Sequence, residues 1–222
     1  MPNPRKEILV KGEIYHIFNK SIGNLEILVT KRDLQRAFDL INYYRIPQDV
    51  KYSKFKTLSK EVRENYIFNL KNKIPLVEIY AFALMPNHYH VLLKQIQDNG
   101  ISFFVSNFQN GFAKFFNKKY ERLGGLFIRP FKSKIISTDE IFLHVSRYIH
   151  LNPATSHLSD YESIKIDPRT SYPYYLEKKQ GDMINTKLIL TLEGSKERYE
   201  KFVMNQIDYQ RRLHLIKNQI FE

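Results

Sequence analysis

The sequence contains no cysteine, which excludes disulfides, thiolate catalysis and cysteine-ligated zinc. No apolar run approaches membrane-spanning length, and the start, MPNPRKEILVKGEIY, lacks the apolar h-region of a secretory signal. A cytoplasmic protein with no membrane partner is the expectation. Internal repeats and low-complexity tracts are also missing, so neither a solenoid nor a tail-like chain is indicated. Acid is scarce: 23 Asp+Glu stand against 35 Lys+Arg, a formal net charge of +12. That imbalance points to a polyanionic partner, nucleic acid being the commonest. A merely soluble basic protein is the alternative.

What is present suffices for a core. Of 222 residues, 43% are hydrophobic and 14% aromatic, enough for one generous domain or a domain with an appendage. GEIYHIFNK, residues 12–20, reads as a first strand. Thr30 and Asp33 form a capping-box pattern ahead of Leu34, Ala37, Phe38 and Ile41 at helical spacing. Residues 45–75 are polar and lysine-rich, and read as an insertion or a second short helix. LVEIYAFALM is apolar on both faces, as in a central strand. Pro-Asn makes a tight turn and HYHVLLKQI returns. Residues 101–120 form a helix with Phe104, Phe108, Phe112 and Phe115 as its stripe. GGLFIRPFKSKII reads as a further strand. Thr138 then caps a helix expected to end near Pro153. Residues 154–190 look irregular, and a basic amphipathic helix is expected from about Ser195 to Lys217. This order suggests an α+β fold, with helices on one face of an antiparallel sheet and a helical C-terminal extension.

Three constellations could carry chemistry. In YAFALMPNHYHVLLKQ, residues 80–95, His88 and His90 share one strand face while Tyr89 points away. Neutral imidazoles placed so can give ring nitrogens to one divalent ion. Taken alone, a His-x-His pair is more often two hydrogen-bonded core histidines. In SRYIHLNP, Tyr148 and Asn152 lie four apart on one helix face, at and within the apolar arc of Ile141, Phe142, Val145 and Ile149. A phenol beside a metal ion can attack phosphorus and store the phosphodiester as a phosphotyrosine link. The bland reading is a packed Tyr and an Asn that caps the helix. Third, FAKFFNKKYERLGGLFIRPFKSK mixes aromatics with cations, a combination suited to single-stranded nucleic acid. Most of the phenylalanines are core, whereas Lys114, Lys118, Arg129, Lys132 and Lys134 are candidate phosphate contacts. His16 and His144 could support a site or simply pack; His150, His157 and His214 read as structural or exposed.

GEIYHIFNKSIG, ALMPNHYHVLLK, FFNKKYERLGGLFIRPFKSK and RYIHLNP stand in the order of the HUH single-tyrosine transposases. The chain resembles that family, and in particular the REP-associated tyrosine transposases, over residues 10 to 153. The resemblance implies a ferredoxin-like sheet in a catalytic domain of residues 1–153, followed by an extension over 154–222. It puts the metal-binding histidines on His88 and His90 and the nucleophile on Tyr148. Asn152 holds the position of the polar residue that completes the metal site, where some members have glutamine. It further implies Mg²⁺ or Mn²⁺, and cleavage of hairpin-bearing single-stranded DNA through a 5′-phosphotyrosine intermediate, by a monomer or a homodimer. Two rivals stand beside it: a domesticated, non-catalytic nucleic-acid-binding protein, and a metal-dependent phosphodiesterase that uses water.

Overall fold

In the computed structural model, residues 7–205 are described. Four strands form one sheet: β1 (Ile14–Lys20), β2 (Val77–Met85), β3 (His88–Gln95) and β4 (Lys132–Ile135), in the order β2-β3-β1-β4. Every neighbouring pair is antiparallel. Between β1 and β2 lie α1 (Lys31–Tyr44), α2 (Tyr52–Phe55) and α3 (Lys60–Leu70), and α4 (Gly100–Lys119) links β3 to β4. This is the expected α+β antiparallel class, with the strand order of a ferredoxin-like core. After β4 come α5 (Asp139–Thr155), α6 (Tyr172–Tyr175), α7 (Lys187–Glu193) and α8 (Lys196–Met204). Among the described residues no helix is long and apolar enough to cross a membrane.

Local sequence explains most boundaries. Thr30 and Asp33 do form a reciprocal capping box at the start of α1. Pro86 and Asn87 make the two-residue turn between β2 and β3. Gly100 opens α4 where a Cβ would sit 2.3 Å from the Leu76 carbonyl oxygen, so only glycine fits that approach. The expected insertion resolves into α2 and α3, with Tyr52 and Phe55 packed on Tyr43.

The sheet is covered on both sides rather than on the one face expected, because α5 packs opposite α1 and α4. Tyr15, Ile17, Phe82, Leu84, Tyr89, Val91 and Leu93 face α1 and α4; Phe38 meets Phe82 and Phe108 meets Tyr89 edge to face. The buried stripe of α4 is Phe104, Phe108, Phe112 and Phe116. Phe115, expected in the stripe, is displaced to the flank, where the guanidiniums of Arg32 and Arg36 lie over its ring. A strict four-residue step keeps the stripe on Tyr89 and Phe127, and position 115 falls off it toward α1. On the opposite face α5 crosses β2 and β3. Its seat is shallow because Ala81 and Ala83 are fully buried there, level with Leu92 and His90. A register shift at Ile79/Ala81 turns Tyr80 toward α5, its ring 4.9 Å from that of Phe142.

Two expected boundaries move. The strand expected over GGLFIRPFKSKII shrinks to Lys132–Ile135. Phe127 makes only an isolated bridge to Ser21, and Pro130, with no N–H to give, separates that bridge from the regular ladder. Conversely, α5 runs through Pro153 to Thr155, and the chain turns away two residues later at His157, whose φ of 56° is left-handed. The largely irregular chain that follows is tied to the outer edge of β2: Leu84 N–H donates to Arg169 O, Ser171 N–H to Phe82 O and Asn185 N–H to Ile79 O. The expected last helix is α8, packed on α5, and the remainder of that expectation, residues 206–217, lies outside the described residues.

Candidate functional site

The site stands on the face of the sheet beneath α5. His88 and His90 point to this face from β3, with ring centroids 5.1 Å apart and planes at 88°. Two residues apart in a strand, they share a face by necessity. Tyr148 comes down from α5; its ring lies 5.5 Å from that of His90 and 6.3 Å from that of His16. Asn152, one helical turn further on, is buried. The structure therefore brings His88, His90 and Tyr148 together, with Asn152 beside the Tyr148 phenol.

The electrostatics follow from burial. The His88 pKa is lowered to about 4, by burial and then by the nearby Lys20 cation. Burial, with His16 and His88 adding to it, holds His90 well below the ordinary histidine value. Both rings are thus neutral at neutral pH, the form that ligates a cation. Burial raises the Tyr148 phenol pKa, and the Asn152 amide opposes that rise. The outer nitrogens are held: His88 Nδ1 lies 2.7 Å from Asn87 Oδ1, and His90 Nδ1 lies 2.9 Å from His16 Nε2. Asn152 is buried, and its amide N–H is the group that can favour the Tyr148 phenolate, so any role as a metal ligand falls to its oxygen. Two neutral imidazoles and an amide oxygen can ligate a divalent ion, and this donor set accepts several. Among the described residues no three His, Cys, Asp or Glu side chains form a metal cluster, so an ion here depends on Asn152 or on its substrate for further ligands.

The five candidate phosphate contacts divide. Lys132 pairs with Phe18 across β4 and β1, and Phe18 pairs with His90; Lys134 pairs likewise with His16. Both lysines therefore share the histidine face, and Lys132 Nζ is 5.9 Å from the Phe18 ring. Lys114 and Arg129 instead rim a groove of about 300 Å³ beside α4, with amides from Gln109, Asn110 and Asn117 and a floor of Leu126 and Phe127. Lys118 is exposed on α4 outside that groove.

His16 could support a site or pack on the sequence alone, and the structure puts it beside His90, whereas Phe18 and Lys20 were not indicated as neighbours of the site. Their alternate spacing was visible, but their place beside His88 and His90 depends on the β1–β3 register. Of the other histidines, His144 packs against the Phe202 ring and Arg147, and His157 is exposed. His150 is fully buried between Ser171 and Tyr199, and His214 lies outside the described residues.

The profile of the IS200-like transposases matches residues 43–152, a span that contains His88, His90, Tyr148 and Asn152. None of the curated proteins matches the chain. Among solved structures, a REP-associated tyrosine transposase bound to a REP hairpin superposes with a TM-score of 0.51 at 15% identity, over 82% of this chain and 94% of that one. A protein of Deinococcus radiodurans R1, provisionally described as a transposase, gives 0.35 at 16% identity, over 67% of this chain and 95% of its own. The likeness to the REP-associated transposase is one of fold.

Proposed function

We propose, for a chain that belongs to the IS200-like transposase family, that it cuts and rejoins single-stranded DNA beside a hairpin, with Tyr148 as the nucleophile. The observation that carries this is the seating of Tyr148 over the imidazole pair, 5.5 Å from His90 between ring centroids. The Tyr148 oxygen attacks phosphorus, loses its proton and keeps the 5′-phosphate; the 3′-oxygen leaves and takes up a proton. Attack by a 3′-hydroxyl on the phosphotyrosine reverses the exchange, so the phosphodiester is conserved and no ATP is consumed. His88, His90 and Asn152 would hold Mg²⁺ or Mn²⁺, which supplies charge to polarise the phosphate and to offset the raised phenol pKa. Lys132 and Lys134 lie where they would meet the DNA backbone on the same face. The hairpin as substrate draws its support from the REP-associated neighbour. Nucleophile and imidazoles belong to one chain, which favours a monomer that acts in cis over a homodimer that exchanges helices.

The test is incubation with hairpin-bearing single-stranded DNA and Mn²⁺, followed by a denaturing gel. A covalent protein–DNA band is expected with wild type and not with Tyr148→Phe, which should still bind hairpin DNA. Cleavage that survives Tyr148→Phe but not chelation would favour water as nucleophile. Binding that survives EDTA without any cleavage would favour a domesticated binding protein.

A further inference from the structure

A third imidazole lies directly behind the pair. His16 on β1 is fully buried, and its Nε2 is 2.9 Å from Nδ1 of His90, itself 3% exposed. The two rings are nearly coplanar, at 21° with centroids 5.1 Å apart, as an in-plane hydrogen bond between ring nitrogens requires. The strand register builds this contact. Phe18 is opposite His90, so His16 is its diagonal neighbour, two residues along on the same face.

One proton sits between the two nitrogens, and its owner decides what His90 presents to the site. If His16 Nε2 carries it, His90 accepts at Nδ1 and bears its own proton on Nε2, which then cannot ligate a cation. If His90 Nδ1 carries it, Nε2 presents a lone pair. The other imidazole sets a precedent: Asn87 Oδ1, 2.7 Å from His88 Nδ1, can only accept, so His88 is protonated at Nδ1 and its Nε2 bears a lone pair.

We infer that His16 is a positioning residue that accepts the Nδ1 proton of His90 and so turns a bare Nε2 toward the cation, as Asn87 does for His88. This rests on the reading of His88 and His90 as metal ligands. His16 Nε2 is engaged by His90, so that nitrogen is not available to a cation. Partners of this kind fix both tautomer and ring orientation, and their loss commonly weakens metal binding by about 10- to 100-fold.

The experiment uses the full-length chain labelled with ¹⁵N-histidine. In the metal-free wild type, long-range ¹H–¹⁵N spectra are expected to show His90 protonated at Nδ1. Mn²⁺ titrated calorimetrically should bind about 10- to 100-fold more weakly to His16→Phe. His16→Gln, whose amide oxygen can accept the same proton, should recover most of the loss, which a purely structural role would not explain. A wild-type His90 protonated at Nε2 overturns the inference, whether or not the Phe variant folds. So does a folded His16→Phe that binds Mn²⁺ as tightly as wild type. If His90→Ala binds Mn²⁺ undiminished while the wild-type spectra show the Nδ1 proton, the metal reading falls instead, and the role assigned to His16 falls with it.

Discussion

Replacing Tyr199 with phenylalanine tests whether the tail secures the helix that carries Tyr148. The Tyr199 hydroxyl is buried 2.9 Å from Ser146 Oγ and 2.9 Å from His150 Nδ1, both on α5. The bonds form one directed chain. Ser171 Oγ, which accepts from Phe82 N–H, lies 2.8 Å from His150 Nε2 and donates to it. His150 Nδ1–H donates to Tyr199, Tyr199 to Ser146, and Ser146 to Leu143 O. With Phe at 199, Ser146 keeps Leu143 O, but the His150 donor is orphaned in a dry interior. A stranded buried donor costs about 1–3 kcal/mol, so a loss of about 2 kcal/mol is expected. For a chain of this size that is a fall of about 4–8 °C in Tm by calorimetry. A double-mutant cycle with Ser171→Ala should show coupling, because both changes break one chain. A Tm within about 1 °C of wild type would refute the argument that this network holds α5 to the sheet.

Three other outcomes follow from the geometry. Gly100→Ala places a methyl 2.3 Å from Leu76 O, and denaturant melts should show a loss of about 1–3 kcal/mol. Burial lowers the pKa values of His16 and His150 to about 3. The unfolded chain therefore binds more protons below about pH 6.5, and stability present above that pH is lost as the pH falls toward 3, by up to about 1.4 kcal/mol per unit for each histidine; urea melts of metal-free protein at pH 7 and pH 4.5 check the sign. Lys132→Ala should weaken single-stranded DNA binding for all sequences alike and reduce the salt slope by about 1, measured by fluorescence anisotropy across a salt series.

What could be read from the chain alone divides by the range of the interactions involved. The periods of two and four sufficed to put His88 with His90, and Tyr148 with Asn152, because those faces are set within one element. The capping box at Thr30 is equally local. His16 was different: nothing within residues 12–20 indicates that it reaches His90, since that contact depends on how two strands align. Lys132 and Lys134 could not be separated from Lys114 and Arg129 for the same reason. The end of the chain was readable as a helix from Ser195, but residues 156–185 were not, because their main-chain bonds to the edge of β2 leave no periodic trace.

Ala81 and Ala83 have no reactive group, yet they act as shims under the tyrosine helix. Two methyl groups set how high α5 rides above the imidazoles, and hence whether a phosphate can be gripped from both sides at once. A bulkier residue at either position would lift the phenol away from the imidazoles without replacing any chemically active side chain. Reach in this protein is thus governed from beneath, by residues that a search for reactive groups would pass over.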